Sequence, residues 1–272
     1  GADTLGSQNV AIGRGALGSQ NFTTATNVYN TAVGPSAGTA ITSGTSNTLI
    51  GGLCGDSMTT GSSNTAVGVH AIGSGTVTGS DNTAMGFNAG SSLTSGSNNL
   101  FLGHDTGITG SPGGAQTTAS NVIFLGDENI TNIYAAVSSI GTSDERDKTD
   151  FTALDLGLDF VKNLKPVTYY WDKRSKYGDK YAEDYDLNAQ TPDGTHKEDW
   201  LDIGFKAQEV VALEEAAGYT ISDKTNLVSN LTADGTQYGL KYERFIPILV
   251  KAIQDQDAII TALTARVAAL ES

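Results

Sequence analysis

The chain has 272 residues, a formal net charge of −14 and one cysteine, Cys54. That length suits two modest domains, and the acidic balance argues against nucleic-acid binding, which needs a basic face to neutralise phosphates. No apolar run approaches the length of a bilayer span, no Cys/His cluster has zinc spacing, and Cys54 cannot form an intrachain disulfide, so no membrane, metal or cofactor is expected.

Composition changes sharply near residue 142. Before it, Arg14 is the only basic residue and the acids are Asp3, Asp56, Asp81, Asp105, Asp127 and Glu128. Gly, Ser, Thr, Asn and Ala dominate that first part, whereas the remainder has the mixture of an ordinary globular domain. Three spans follow: a repeat region over 1–126, a connector over 127–142 and a globular domain over 143–272.

In the first span a short motif recurs: Asn, two mostly small or apolar residues, an apolar residue and Gly. It reads NVAIG from Asn9, NTAVG from Asn30, NTLIG from Asn47, NTAVG from Asn64, NTAMG from Asn82, NLFLG from Asn99 and NVIFLG from Asn121, the last with one extra residue. The interior spacings are 17 or 18 residues. Glycine-rich sequence of this kind is often flexible linker, but disorder does not explain an apolar element returning in register. A run this short cannot form a sheet alone, so it must bury itself against equivalent rungs, as in a stacked parallel β-solenoid. Gly34, Gly51, Gly68, Gly86 and Gly103 close the runs, where positive φ or close backbone approach is required. The asparagines suit corner hydrogen bonds or stacked ladders. His70, His104 and His196 lie far apart in sequence and read as exposed or locally hydrogen-bonded side chains.

The NTAVG…AG pattern at Asn30–Gly38 and NTAMGFNAG at Asn82–Gly90 resemble the YadA-like head repeats of trimeric adhesins, which also occur in phage fibres. The resemblance implies a trimeric parallel β-roll over roughly residues 9–126.

In the third span, Leu154, Leu158, Val161 and Leu164 have helical spacing and Pro166 stops that helix. Val167–Trp171 reads as a strand, 173–199 as an exposed polar excursion, and LDIGFKAQEVVALEEAAG as a short strand leading into a helix closed by Gly218. Asp234-Gly235 marks a turn between Leu227–Leu231 and Tyr238–Tyr242. A long helix begins near Glu243 and tolerates Pro247 in its first turn. Its seams, Ile253/Ile260/Val267 and Leu249/Leu263/Leu270, have seven-residue spacing, with Gln256 interrupting the second. Packing on its own domain and a short trimeric coiled coil are both open.

SDERDK, KPVTYYW, GFKAQEV and YERFIPILVKAIQ resemble the endosialidase-type intramolecular chaperone of phage tailspikes and fibres, in the family's order. The resemblance implies an α+β chaperone domain that trimerises the fibre ahead of it and then frees itself by cutting between Thr142 and Ser143. Ser143 is then the nucleophile and Lys148 the partner of a Ser–Lys dyad. A serine hydroxyl needs a base, and free lysine, with a pKa of about 10.4, becomes one only after losing its proton, which apolar burial favours. Spacing alone would leave the two as surface residues; the four motifs together reverse that. Asp144 is an alternative helix cap, Arg146 an ion-pair or interchain residue, and Gln208 and Glu209 either support the site or face solvent. Trp171 and Trp200 read as packing residues.

The expected partners are two further copies of the chain and an unidentified host receptor or glycan, with no nucleic acid and no membrane. The expected location is the virion, after assembly in the host cytoplasm and release of the chaperone fragment. A non-cleaving fibre chaperone and a fragment of a bacterial trimeric adhesin are the alternatives, the latter disfavoured because no C-terminal membrane anchor is seen.

Overall fold

The computed structural model describes residues 5–73, 75–130, 133, 143–182 and 184–271. They form two compact units that interleave along the chain. The first comprises 1–132, 172–197 and 232–237, and the second 133–171, 198–231 and 238–272. The units therefore depart from a linear division at residue 142, because two segments of the second half belong with the repeats. The expected connector, 127–142, lies mostly outside the described residues.

The first unit contains a parallel β-solenoid. Its main sheet stacks seven three-residue strands: β2 (Val10–Ile12), β4 (Thr31–Val33), β5 (Thr48–Ile50), β6 (Thr65–Val67), β7 (Thr83–Met85), β8 (Leu100–Leu102) and β9 (Ile123–Leu125). A minor sheet pairs β1 (Gly6–Ser7) with β3 (Thr26–Asn27). Parallel register aligns the middle residues Ala32, Leu49, Ala66, Ala84, Phe101 and Phe124, all buried, as a column inside the coil. Phe101 and Phe124 stack with ring centroids 5.1 Å apart.

The asparagines form a continuous buried ladder. Each of Asn47, Asn64, Asn82 and Asn99 donates through Nδ2 to the Oδ1 of the asparagine one rung earlier, at 3.0–3.1 Å. The other Nδ2 hydrogen goes to a corner carbonyl: Gly61, Gly79, Gly96 or Ala119. Each Oδ1 also accepts the backbone N–H one rung later. At Asn47, Asn64 and Asn82 both donors and both acceptor positions are therefore used, as burial demands. A second column, of hydroxyls, runs beside it: the N–H groups of Thr45, Ser62, Ser80 and Ser97 each donate to a serine Oγ on the next rung.

The last repeat is in a different register from the sequence reading. Leu100 pairs with Ile123, so Val122, not Asn121, stands in the ladder column. Asn121 has φ 62, matching the left-handed residues Ser46, Ser63, Asp81 and Asn98 that precede the other ladder asparagines. The extra residue is thus absorbed before the strand, and an apolar side chain ends the column where no further asparagine follows. Gly68 shows why the closing residue is glycine. Its φ is 138, and a Cβ there would run into the carbonyl of Gly86 on the next rung.

In the second unit, α1 (Leu158–Asn163) is shorter than the periodicity implies. Gly157, at its N-cap, lies so close to Asp255 that a Cβ would collide with the carboxylate. That carboxylate accepts the Leu158 N–H at 3.1 Å, so a tertiary contact starts the helix. Strand β10 (Val167–Tyr170) pairs antiparallel with β11 (Leu201–Gly204), and α2 (Ala207–Ala216) follows. Strands β12 (Ser229–Leu231) and β13 (Tyr238–Leu240) form a hairpin across the Asp234-Gly235 turn. The final helix, α3 (Phe245–Glu271), has 27 residues with Pro247 in its first turn. Phe245 and Ile248 join Leu156, Phe160, Val210 and Val228 in the core, and Ala252 is buried as well. Beyond them Ile253, Ile260, Leu263, Val267 and Leu270 stand exposed, so packing on the parent unit accounts only for the helix's start. Trp200 is 75 % exposed and does not serve as a packing residue in the single chain; Trp171 packs edge-on against Tyr169.

Candidate active site

Ser143 and Lys148 flank a short 3-10 helix, Glu145–Asp147. Asp144 begins that helix by accepting the Arg146 N–H at 2.9 Å, and the Lys148 N–H closes it on the Glu145 carbonyl. One tight turn thereby bends the chain so that residues five apart meet. Lys148 Nζ lies 2.6 Å from Ser143 Oγ and donates to the Ser143 carbonyl at 3.1 Å. The Oγ contact is short enough for direct proton transfer between hydroxyl and amine. Thr142, whose carbonyl would be attacked, lies outside the described residues.

Every residue from Ser143 to Asp150 is exposed in the single chain. This departs from the apolar burial expected around Lys148, because the short helix contributes no buried residue. Arg146 reaches back to Asp144 through Nη2 at 2.6 Å, and the two act as a local clasp on the turn. That clasp holds the Asp144 carboxyl below its usual range, through the Arg146 side-chain and backbone hydrogen bonds. Gln208 is exposed on α2, and Glu209 pairs with Lys206 at 3.3 Å. Among the described residues no hydrogen bond or ion pair joins either to Ser143 or Lys148.

Two other buried arrangements escaped sequence reasoning. Glu214 on α2 is almost fully buried, and its carboxylate accepts the N–H groups of Leu227 and Val228 at 2.7 Å and of Ser229 at 3.0 Å. It supplies the hydrogen bonds that the start of the β12–β13 hairpin lacks. In the first unit, Lys180 bridges Asp105 at 2.8 Å and Glu128 at 2.9 Å, and Tyr181 donates to Asp105 at 2.5 Å. Desolvation works against the Lys180 ammonium, but those carboxylates outweigh it and raise its pKa. Burial and then Asp105 push the Tyr181 phenol up to about 12. Asp234 accepts the Ala115 N–H at 2.8 Å, so the 232–237 turn also meets the repeat region. The sequence reads as an exposed polar excursion over 173–199 and as a turn at Asp234-Gly235, with no signal for either contact.

In chain order, a short turn that holds a serine against a lysine follows a parallel β-solenoid and precedes a small α+β unit. Residues 143–219 match the family model described as chaperone of endosialidase, a peptidase-type family. This part of the chain is an endosialidase-type chaperone domain, and the match begins at Ser143 itself. No curated protein and no solved structure matched the chain.

Proposed function

We propose that the chain is the C-terminal part of a phage tail fibre or tailspike, and that its chaperone domain trimerises the fibre and then cuts itself off between Thr142 and Ser143. The observation that carries this reading is the 2.6 Å contact between Lys148 Nζ and Ser143 Oγ at the first residue of the family match.

In the cleavage step, neutral Lys148 takes the Ser143 hydroxyl proton as Oγ attacks the Thr142 carbonyl carbon. The peptide C–N bond breaks, the proton passes to the departing Ser143 nitrogen, and an ester joins Thr142 to Oγ. Water then hydrolyses that ester, leaving a Thr142 carboxylate and a new amino terminus with its hydroxyl restored. Close approach of further chains would cover the exposed turn and desolvate Lys148, which ties the cut to assembly.

Uncovered apolar surface supports a trimer. Ile12, Val33, Ile50, Val67, Met85, Leu102 and Leu125 share one column of the main sheet, flanking its inward column. Most of them are exposed, over a rise of roughly 29 Å at the usual strand spacing. The uncovered seams of α3 offer a matching surface in the other unit. Near-identical rungs slip register at little local cost, so a domain that first gathers three chain ends gives the solenoid one aligned start. Departure of that domain leaves the fibre behind a high unfolding barrier. The YadA-like kinship of the repeats, a virion location, and attachment to a host receptor or glycan belong to this same proposal.

A chaperone that stays attached is the second reading, favoured by the exposure of Ser143 and Lys148 in the single chain. Denaturing gels of wild type, Ser143→Ala and Lys148→Ala separate the two. Two fragments from wild type alone support self-cleavage, and a full-length wild-type band supports the uncut chaperone. Native mass measurement of Ser143→Ala tests assembly: three copies are expected, and a monomer rules the trimer out.

A further inference from the structure

The repeat region ends in a cluster that the dyad does not use. His104 and Asp105 follow the closing glycine of one rung, and Asp127 and Glu128 follow Gly126 on the next. Parallel register of β8 and β9 sets the two pairs side by side. His104 Nδ1 is 3.2 Å from Asp105 Oδ2 and 3.6 Å from Asp127 Oδ2, and one donor atom from each of the three lies within 4.8 Å of the others. Ligand atoms around an octahedral divalent ion with bonds near 2.1 Å are separated by about 3 Å, so small side-chain shifts would close this group on a metal.

The surroundings are those of ligands held in place. Asn88 Nδ2 donates to Asp105 Oδ1 at 3.0 Å, Asn129 Nδ2 donates to Asp127 Oδ2 at 2.9 Å, and Phe87 stacks on the His104 ring at 5.2 Å. Such outer partners orient ligands. Half-exposed His104 leaves a way in from solvent, while both aspartates are buried. A separate observation points to a missing cation. Glu128 is 7 % exposed and its Oε2 is enclosed with no hydrogen-bond partner among the described residues, although Oε1 meets Lys180 at 2.9 Å.

The ammonium of Lys180 now touches two of these carboxylates, Asp105 and Glu128, with Tyr181 beside it on Asp105. Lys173 Nζ donates to the Glu128 carbonyl at 2.8 Å. Those cationic and phenolic donors lie beyond residue 143, whereas every carboxylate, the imidazole and their outer partners lie before it. We propose that His104, Asp105, Asp127 and Glu128 form a divalent-cation site that Lys180 fills in the intact chain and surrenders when the C-terminal product leaves. The timing rests on the self-cleavage reading above; the site does not. Three carboxylates and one imidazole favour an ion that accepts hard oxygen and nitrogen alike, such as Mn2+.

The test is a Mn2+ titration, followed by electron paramagnetic resonance, of uncut Ser143→Ala chain with and without Lys180→Met. The double variant should bind one Mn2+ per chain at least ten-fold more tightly than its parent, and Asp127→Asn should remove that site. Lys180→Gln replaces Lys180→Met if circular dichroism shows the latter misfolded, and cleaved wild-type protein gives an arm without substitution at the site. A folded Lys180→Met or Lys180→Gln chain that binds no tighter than its parent overturns the site, whatever the gels show about cleavage. Tight binding by those variants with no cleavage of wild type keeps the site and rejects its coupling to release.

Discussion

Asn64→Asp is the sharpest perturbation of the repeat region, because it changes hydrogen-bonding character with almost no change in volume. Asn64 Nδ2 donates to Asn47 Oδ1 and to the Gly79 carbonyl, each at 3.1 Å, while Oδ1 accepts from the Asn82 backbone and side chain at 3.0 and 3.1 Å. An ionised aspartate would turn two donors into acceptors and bury a charge among acceptors, so the carboxyl is driven to keep its proton. Holding it protonated at pH 7, about three pH units above its ordinary pKa, costs about 4 kcal/mol. The one donor still missing adds about 1–3 kcal/mol. The expected destabilisation is therefore about 5–7 kcal/mol at pH 7. The sign follows from a folded-state pKa raised above the unfolded one: the ionisation penalty is absent below the unfolded pKa and grows as pH rises. At pH 4 only about 1–3 kcal/mol should remain. The assay is guanidinium unfolding by circular dichroism in Ser143→Ala chains, each variant compared with its parent at the same pH. Asn121→Asp is the control, since Asn121 is exposed and its side-chain oxygen accepts from Asn98 at 2.8 Å, a role a carboxylate keeps; it should cost less than about 0.5 kcal/mol. Equal losses for the two variants, or a pH-independent loss for Asn64→Asp, would refute the ladder.

Gly68→Ala forces a side chain into positive φ and against the Gly86 carbonyl, and should cost about 3 kcal/mol or more in the same unfolding assay. Glu214→Ala strips three N–H groups of their acceptor and should cost about 3 kcal/mol or more, whereas Glu209→Ala on the exposed side should stay within about 0.5 kcal/mol. Burial alone would raise Asp127 and Asp234, but hydrogen bonds from Asn129 to the former and from Thr232, Ala115 and Thr236 to the latter hold both below the usual carboxylate range. Depressed carboxyls stabilise fully above the unfolded pKa, near 3.9, and lose that contribution as pH falls through their folded values. Hydrogen exchange within 172–197 and 232–237 should consequently accelerate below about pH 4, relative to strands β5 to β8, whose own residues carry no titratable side chain.

Repetition made the solenoid legible, because an apolar residue that returns every 17 or 18 positions has only its equivalents to pack against. The final register was not legible. NVIFLG begins with the right residue, yet the inserted position is taken up before the strand, and only the pairing of Leu100 with Ile123 shows Val122 in the column. In α1, leucine spacing implied a start near Leu154, whereas Gly157 and the distant Asp255 carboxylate set it at Leu158. The Ser143–Lys148 pair was readable through its neighbouring motifs. Its exposed setting was not, since burial depends on what surrounds the turn. Linear spacing also concealed His104 and Asp127, which a parallel coil makes neighbours by stacking one rung on another. Lys180 and Asp234 joined the first unit from remote positions with no periodic signal at all.

The self-cutting role is tested most directly by intact-mass and N-terminal analysis of freshly expressed wild-type protein. The account predicts a C-terminal product whose first residue is Ser143 and whose complement ends at Thr142, with neither formed from Ser143→Ala or Lys148→Ala. A wild-type sample that contains only the uncut 28.2 kDa chain once assembled, or one cut elsewhere, contradicts it.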